Sequence, residues 1–267
     1  MVMKVFITGA SSGIGEALAY EYAKRYQNEN TIIGLAARRS EHLHALQHTL
    51  EASYNIKCAI YPLDVRDSAA LVAAANDFTQ QYGAPNVVIG SAGVSSGTLT
   101  ENAEDTNAFQ AVMDINVTGL VNTFQPFIHT MSLAAQHGHT AQLVGIASVA
   151  GIRGLPGAGA YSASKAAAIA YLESLRVEML HHNIAVTTIA PGYIRTPMTD
   201  INTYKMPFLM DADIAAHKFV NAIERKKRFV VIPWQMGWVA RLMRLIPPVL
   251  WDFLAKNAPH KARIDVQ

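Results

Sequence analysis

Short apolar runs alternate along this chain with longer stretches in which apolar positions recur every three to four residues. Runs rich in Val, Ile, Leu and Ala at 2–8, 31–37, 56–61, 86–90, 143–147, 184–190 and 229–232 predict buried strands. The intervening segments 14–26, 40–53, 67–82, 103–136, 161–182 and 211–226 predict helices. Ser40 is placed to cap the second helix, and Asp67 or Ser68 the third. Leu172, Leu175, Val177 and Leu180 fall at mostly helical spacing and are expected to give the fifth helix its buried face. Alternation of this kind builds an α/β fold, here a doubly wound parallel sheet of about seven strands with helices on both faces. Ligands of such sheets collect at the carboxyl edge, where the strand order reverses.

Two stretches at that edge carry candidate chemistry. The first strand ends in Thr8-Gly9-Ala10-Ser11-Ser12-Gly13-Ile14-Gly15. A glycine-rich turn between a strand and a helix lets backbone approach a pyrophosphate, which then rests on the helix N-terminus. The second stretch runs from Ser148, just past a strand, through a Gly- and Pro-rich turn to Tyr161 and Lys165. Tyr161 and Lys165 are four residues apart and share one helix face. A free phenol has a pKa of about 10, too high for efficient proton transfer at neutral pH. A nearby ammonium favours the phenolate and is expected to lower that value. Ser148 can reach back to hydrogen-bond a substrate oxygen. Taken alone, a Tyr and a Lys at this spacing also describe an ordinary amphipathic helix with a snorkelling Lys.

Together these motifs resemble the short-chain dehydrogenase/reductase family. The resemblance runs from residue 1 to about 232 and rests on the Gly9-x-x-x-Gly13-Ile14-Gly15 turn followed by Ser148 and Tyr161-Ser-Ala-Ser-Lys165. It implies a Rossmann-like dinucleotide-binding and catalytic domain over 1–232, with 233–267 as a C-terminal apolar helical extension of the same domain. It further implies that Tyr161 is the general acid or base, that Lys165 holds the nicotinamide ribose, and that Ser148 polarises the substrate oxygen. Asn116, in Asn-Val-Thr-Gly, would be the fourth catalytic residue, distorting its helix and holding a water beside Lys165. Cofactor contacts would come from Gly9, Ser11, Ser12, Gly13, Ile14 and Gly15 in the first turn, and from Asp64 and Val65 after the third strand. Ala92 and Gly93 after the fourth strand, Tyr161, Lys165, and the loop residues Pro191, Gly192, Ile194 and Thr196 would complete them. Ser91 stands where the family prefers Asn, a shorter side chain with fewer hydrogen bonds.

The second strand ends Ala36-Ala37-Arg38-Arg39. The acidic residue that commonly binds an NAD ribose hydroxyl is absent there, and Arg38, with Arg39 beside it, can pair with a 2′-phosphate. NADP(H) is therefore expected over NAD(H). The resemblance implies interconversion of a carbonyl and a secondary alcohol, and Met198, Ile201, Tyr204, Met206, Phe208, Leu209 and Met210 in the segment over the site suggest an apolar small molecule as substrate. Arg153 and Arg195 are the cations available for a charged substrate. The alternatives are a catalytically silent NADP-binding regulatory module and an NAD-dependent alcohol dehydrogenase.

Composition narrows the rest. The 267 residues carry a formal net charge of +2 and no long basic tract, so nucleic acid is not an expected partner. The single cysteine, Cys58, excludes an internal disulfide and a cysteine-based metal site, and no metal is expected. The chain enters its first strand without a signal-like segment, which favours a cytoplasmic location. A homodimer or homotetramer is expected through the long helix near Asn116 and the Tyr161 helix, whose Ala166, Ala167, Ala168 and Ala170 permit close packing. Beyond Pro233, Trp234, Trp238, Leu242, Leu245, Trp251 and Phe253 sit among Arg241 and Arg244. Packing on the subunit or its dimer partner is the expected use of 234–254, and peripheral contact with the inner membrane surface is the alternative.

Overall fold

A computed structural model describes residues 2–258 and 260–264. Seven strands form one parallel sheet: β1 (Lys4–Thr8), β2 (Ile32–Ala37), β3 (Lys57–Pro62), β4 (Val87–Gly90), β5 (Gln142–Ile146), β6 (Ala185–Pro191) and β7 (Phe229–Ile232). Their order, β3-β2-β1-β4-β5-β6-β7, is that of a doubly wound Rossmann-like sheet. The helices are α1 (Gly13–Arg25), α2 (Ser40–Ser53), α3 (Ser68–Tyr82), α4 (Asp105–Met113), α5 (Gly119–Gln136), α6 (Gly159–Glu178), α7 (Pro197–Asp200), α8 (Ala212–Glu224), α9 (Trp234–Leu245) and α10 (Pro248–Ala255).

The strands are near-continuous apolar runs because both sheet faces are covered. In β1 the side chains of Val5 and Ile7 enter one core with residues of α1, α2 and α8. Phe6 points the other way, into a second core built from α3, α5 and α6. Chain order reverses on either side of β1, so the loops after β1 and β4 diverge and leave a crevice at the carboxyl edge. Cys58 is buried in the first core, and burial pushes its thiol up to about 12, with Glu51 adding to the rise.

Several local expectations change. The helix expected over 103–136 is three pieces: α4, a wider π-helical turn at Asp114–Thr118, and α5. Ser40 does not cap α2; Arg39 takes the capping position in extended backbone and the helix begins at Ser40. Asp67 does cap α3, accepting from the Ala70 N–H at 3.0 Å. Of the four residues expected to bury one face of α6, Leu172 and Leu175 are buried, whereas Val177 and Leu180 are exposed as the helix tightens into a 3₁₀ turn at Met179–His182. Of the alanines expected at a subunit contact, Ala168 is spent in the chain's own second core.

The C-terminal segment is not helical throughout. α9 and α10 end at Ala255, and residues 260–264 run without regular secondary structure. Residue 259 and residues 265–267 lie outside the described residues. In α9 and α10 only Met236, Ala240 and Ala255 are buried. Trp238 is 64% exposed, Leu245 78% and Val249 82%, so only part of this apolar surface packs on the chain's own body. The apolar residues outnumber the positions that can face inward on two short helices. No helix is long and apolar enough to cross a membrane among the described residues.

Candidate active site

The crevice at the carboxyl edge opens into a cavity of about 320 Å³. One end is the turn after β1. Gly9 has φ +72°, and a Cβ there would lie 2.7 Å from Ala92 in the loop after β4. Gly15 sits where a Cβ would meet the Gly9 carbonyl oxygen at 2.2 Å. These two glycines bring the N-terminus of α1 against the strand ends, with its free N–H groups toward the cavity. Ser11, Ser12, Gly13 and Ile14 complete this wall. The loop after β6 folds over it: Pro191, Gly192, Ile194 and Thr196 line the cavity. Thr196 opens α7 through a capping box in which its backbone N–H donates to Thr199 Oγ1 at 3.0 Å.

Arg38, Arg39 and Ala37 close the end at β2. Arg39 donates to the carbonyl oxygen of Ser11 at 3.0 Å and to its hydroxyl at 3.1 Å, so it braces the glycine turn. Arg38 lies 4.0 Å from an oxygen of Asp64, which is held more closely by Arg66 at 2.7 Å. Burial pushes the Asp64 carboxyl up, but the Arg66 hydrogen bonds and the charges of Arg66 and Arg38 outweigh it and leave Asp64 below its ordinary range. No carboxylate terminates β2. Val65 lines the cavity next to Asp64, and its carbonyl accepts from Asn122 at 3.0 Å.

The other end gathers Ser148, Tyr161 and Lys165. Ser148 follows β5 and caps a 3₁₀ turn at Val149–Gly151, its Oγ accepting from the Ala150 N–H at 3.1 Å. This turn packs on α6 so tightly that a Cβ on Gly151 would lie 2.5 Å from the Lys165 backbone. That contact brings Ser148 beside the Tyr161 and Lys165 face of α6. Lys165 is buried and donates to the Ile146 carbonyl at 2.9 Å, with its Nζ 5.8 Å from the centre of the Tyr161 ring. Burial lowers the Lys165 pKa to about 8. Burial also raises the Tyr161 pKa, and a hydrogen bond with Ser148 acts in the opposite direction. The expected depression of Tyr161 by Lys165 is therefore not found: the ammonium is turned to a carbonyl, and desolvation of the phenolate dominates.

Asn116 lies behind the cavity wall. It lies within the π turn. Its Oδ1 accepts from the Val94 N–H at 2.8 Å, and its Nδ2 donates to the Val94 carbonyl and to Ser164 Oγ, both at 2.9 Å. A Cβ on Gly93 would approach Asn116 Oδ1 at 3.2 Å and Lys165 Nζ at 3.4 Å, so a residue without one fits between them. Ala92 and Ser91 line the cavity from the same loop.

Sequence reasoning missed several wall residues, among them Leu63 and Ile115, whereas Met198, expected in the substrate segment, does line the cavity. More consequential is Lys261, whose ammonium lies 5.5 Å from the centre of the Tyr161 ring. Nothing in the local sequence around residue 261 signals this approach. Arg153 and Arg195 are both committed elsewhere. Arg153 donates to the carbonyls of Met243 and Ile246 at 2.8 and 2.7 Å, and Arg195 pairs with Asp211 at 2.8 Å. Among the described residues no group of His, Cys, Asp and Glu could hold a metal ion.

Comparison with known proteins agrees with the fold. An uncharacterized oxidoreductase of Myxococcus xanthus is 34% identical over 251 residues, covering 94% of this chain and 95% of the relative. The crystal structure of L-sorbose reductase from Gluconobacter frateurii, complexed with NADPH and L-sorbose, superposes with a TM-score of 0.75 at 22% identity, covering 86% of this chain and 94% of that one. A short chain dehydrogenase/reductase from Burkholderia phymatum in complex with NAD superposes with a TM-score of 0.77 at 21% identity, covering 98% of each chain. The short chain dehydrogenase family itself matches residues 3–206, the part of the chain that carries the glycine turn, Ser148, Tyr161 and Lys165, and to that family of oxidoreductases this chain belongs.

Proposed function

We propose that this chain is an NADP(H)-dependent oxidoreductase that interconverts a carbonyl and a secondary alcohol on an apolar small molecule. The observation that carries the reading is one cavity with a glycine-lined, helix-capped wall at one end and Ser148, Tyr161 and Lys165 at the other. The close backbone approach at Gly9 and Gly15 fits a dinucleotide pyrophosphate, which Ser11, Ser12, Gly13 and Ile14 would hold through hydroxyls and backbone N–H groups. When bound, the nicotinamide cofactor supplies the hydride.

In the reductive direction Ser148 hydrogen-bonds the substrate oxygen and Tyr161 gives it a proton. In oxidation the Tyr161 oxygen takes that proton back. A raised Tyr161 pKa keeps the phenol protonated at neutral pH, which suits the acid role. Lys165 holds the ribose and, with a pKa brought down to about 8, can exchange protons near working pH. Asn116 acts as a positioning residue, through its bonds to Val94 and Ser164. Tyr193 and Tyr204, with ring centres 6.4 Å apart, supply an aromatic wall for an apolar substrate.

One structural relative holds NADPH and another NAD, so the choice rests on this chain's own residues. Arg38, beside an Arg39 that braces the glycine turn, and the lack of a carboxylate at the end of β2 favour a 2′-phosphate. Titration of NADPH and NADH by fluorescence, on wild type, Arg38→Ala and Tyr161→Phe, tests both parts. Wild type should prefer NADPH, and Arg38→Ala should lose about tenfold in NADPH affinity with NADH unaffected. Tyr161→Phe should keep NADPH affinity while turnover falls by about a hundredfold or more. Equal NADPH and NADH affinity in wild type would reject the NADP assignment. Turnover surviving in Tyr161→Phe would reject the proton-transfer assignment.

We further propose a homodimer through α4–α5 and α6, whose Ala166 and Ala170 are exposed and small.

A further inference from the structure

Residues 260–264 form a strap along the loop after β4 and past Tyr161. The Gly97 N–H donates to the Ala262 carbonyl at 2.9 Å. Ser96 Oγ donates to the Ile264 carbonyl at 3.0 Å and accepts from the Ile264 N–H at 3.1 Å. Arg263 reaches Asp105 at 3.1 Å, and Asp105 in turn accepts from the Leu99 N–H at 2.7 Å. Two glycines make room for the strap. A Cβ on Gly97 would lie 2.1 Å from the Lys261 carbonyl oxygen, and one on Gly157 would lie 2.6 Å from His260. Gly157 belongs to the turn that leads into α6, and Thr98 accepts from the Ala160 N–H at 3.1 Å, so strap, loop and catalytic helix are joined.

This anchoring leaves the half-buried Lys261 ammonium beside the Tyr161 ring. No carboxylate pairs with it among the described residues; Asp105, the acid bound to the strap, is taken by Arg263. Arg153 and Arg195, the two cations the sequence left open for a charged substrate, are committed to carbonyls and to Asp211. The Lys165 ammonium is directed to the Ile146 carbonyl. A cation held partly out of water without a counter-ion is poorly compensated, and the face of an aromatic ring offsets only part of that cost. Burial accordingly pushes the Lys261 ammonium below its ordinary range. An anion beside it would restore the charged form.

We propose that Lys261 is a substrate-recognition residue, and that the carbonyl compound bound beside Tyr161 carries an anionic group, such as a carboxylate or sulfonate, paired with the Lys261 ammonium. This deepens the oxidoreductase reading and rests on it. The substrate is then an amphiphile: an apolar body against Tyr193 and Tyr204, a carbonyl at Ser148 and Tyr161, and an anionic group at the strap.

The test uses a matched pair of probes, 4-formylbenzoate and methyl 4-formylbenzoate, which differ in charge at the far end of the ring. Steady-state reduction with NADPH and calorimetric binding to the NADP⁺ complex are measured on the full chain, Lys261→Met and Lys261→Arg. Wild type should favour the carboxylate over the ester by about tenfold or more in kcat/KM or affinity, the scale of a charge-assisted hydrogen bond. Lys261→Met should abolish that preference, and Lys261→Arg should keep it. Equal handling of both probes by wild type, including failure to bind either, overturns the proposal. So does a Lys261→Met variant that loses both probes to the same degree. NADPH titration separates the levels. Intact NADPH binding without probe preference sinks the anion site alone, whereas absent NADPH binding sinks the oxidoreductase reading beneath it.

Discussion

Lys165 is a buried ammonium with a carbonyl for a partner, and burial sets its titration. Its pKa falls from 10.5 to about 8 on folding. The unfolded chain therefore binds more protons between these values, and wild-type stability should rise as pH climbs from about 8 to 10.5. Lys165→Met should remove that rise. At pH 7 the variant should be the more stable by up to about 3 kcal/mol, with the gap closing toward high pH, while turnover is lost. Urea unfolding at a series of pH values measures this, and a gap independent of pH would show that Lys165 is not desolvated. Tyr161 moves the other way for the same reason, because burial disfavours whichever form is charged. The identities of both residues and their shared helix face are legible in sequence. Their titration is not, since it depends on the carbonyl and the walls around them.

The carboxyl-edge crevice depends on how the helices seat against the sheet. Phe6 of β1 meets Phe78 of α3 edge-on at 5.6 Å and Phe127 of α5 at 4.8 Å, all three fully buried. Phe127→Ala should cost about 3–5 kcal/mol in urea unfolding, the scale of a large cavity in a packed core. A loss below about 1 kcal/mol would mean that α5 can collapse onto the gap. The strand and helix pattern that builds these layers was readable because each element carries its own apolar period. The π turn at Asp114–Thr118 was not, because apolar spacing does not mark one widened turn inside a long helical stretch. Its tertiary setting is visible only in three dimensions: a Cβ on Gly119 would lie 2.5 Å from Val65, so the chain runs close to the loop after β3 there. The Ser40 cap failed for a related reason, since the backbone leaving β2 begins the helix one residue earlier than a Ser40 cap requires.

At the scale of the molecule, α9 and α10 leave an apolar face on the surface with cations among its aromatics. The Arg241 guanidinium lies 5.4 Å from the Trp238 ring centre, and Lys256 Nζ lies 4.9 Å from that of Phe253. Exposed faces of this composition suit a lipid headgroup region. We expect the protein to co-sediment with anionic phospholipid vesicles, and the doubly substituted Leu242→Glu, Leu245→Glu chain to lose that association while keeping NADPH affinity. A protein that ignores vesicles but falls from dimer to monomer on the same substitutions would assign the face to a second copy of the chain and reject the lipid reading.

The order of elements, the parallel sheet, the glycine turn and the Ser148, Tyr161 and Lys165 set are local in origin. Each rests on spacing within a few residues or on a motif beside a strand end, so the sequence by itself determined them. Where side chains from distant segments meet was decided by tertiary structure. Asn116 closes on Val94 and Ser164, Arg39 braces Ser11, and Arg153 turns away to the carbonyls ending α9. The exposure of α9 and α10 and the approach of Lys261 to Tyr161 belong to the same class. The physical reason is that periodicity reports whether a position prefers water or protein. Which partner it finds depends on loop closure, on room made by residues such as Gly97 and Gly157, and on competition among cations for the available carbonyls and carboxylates.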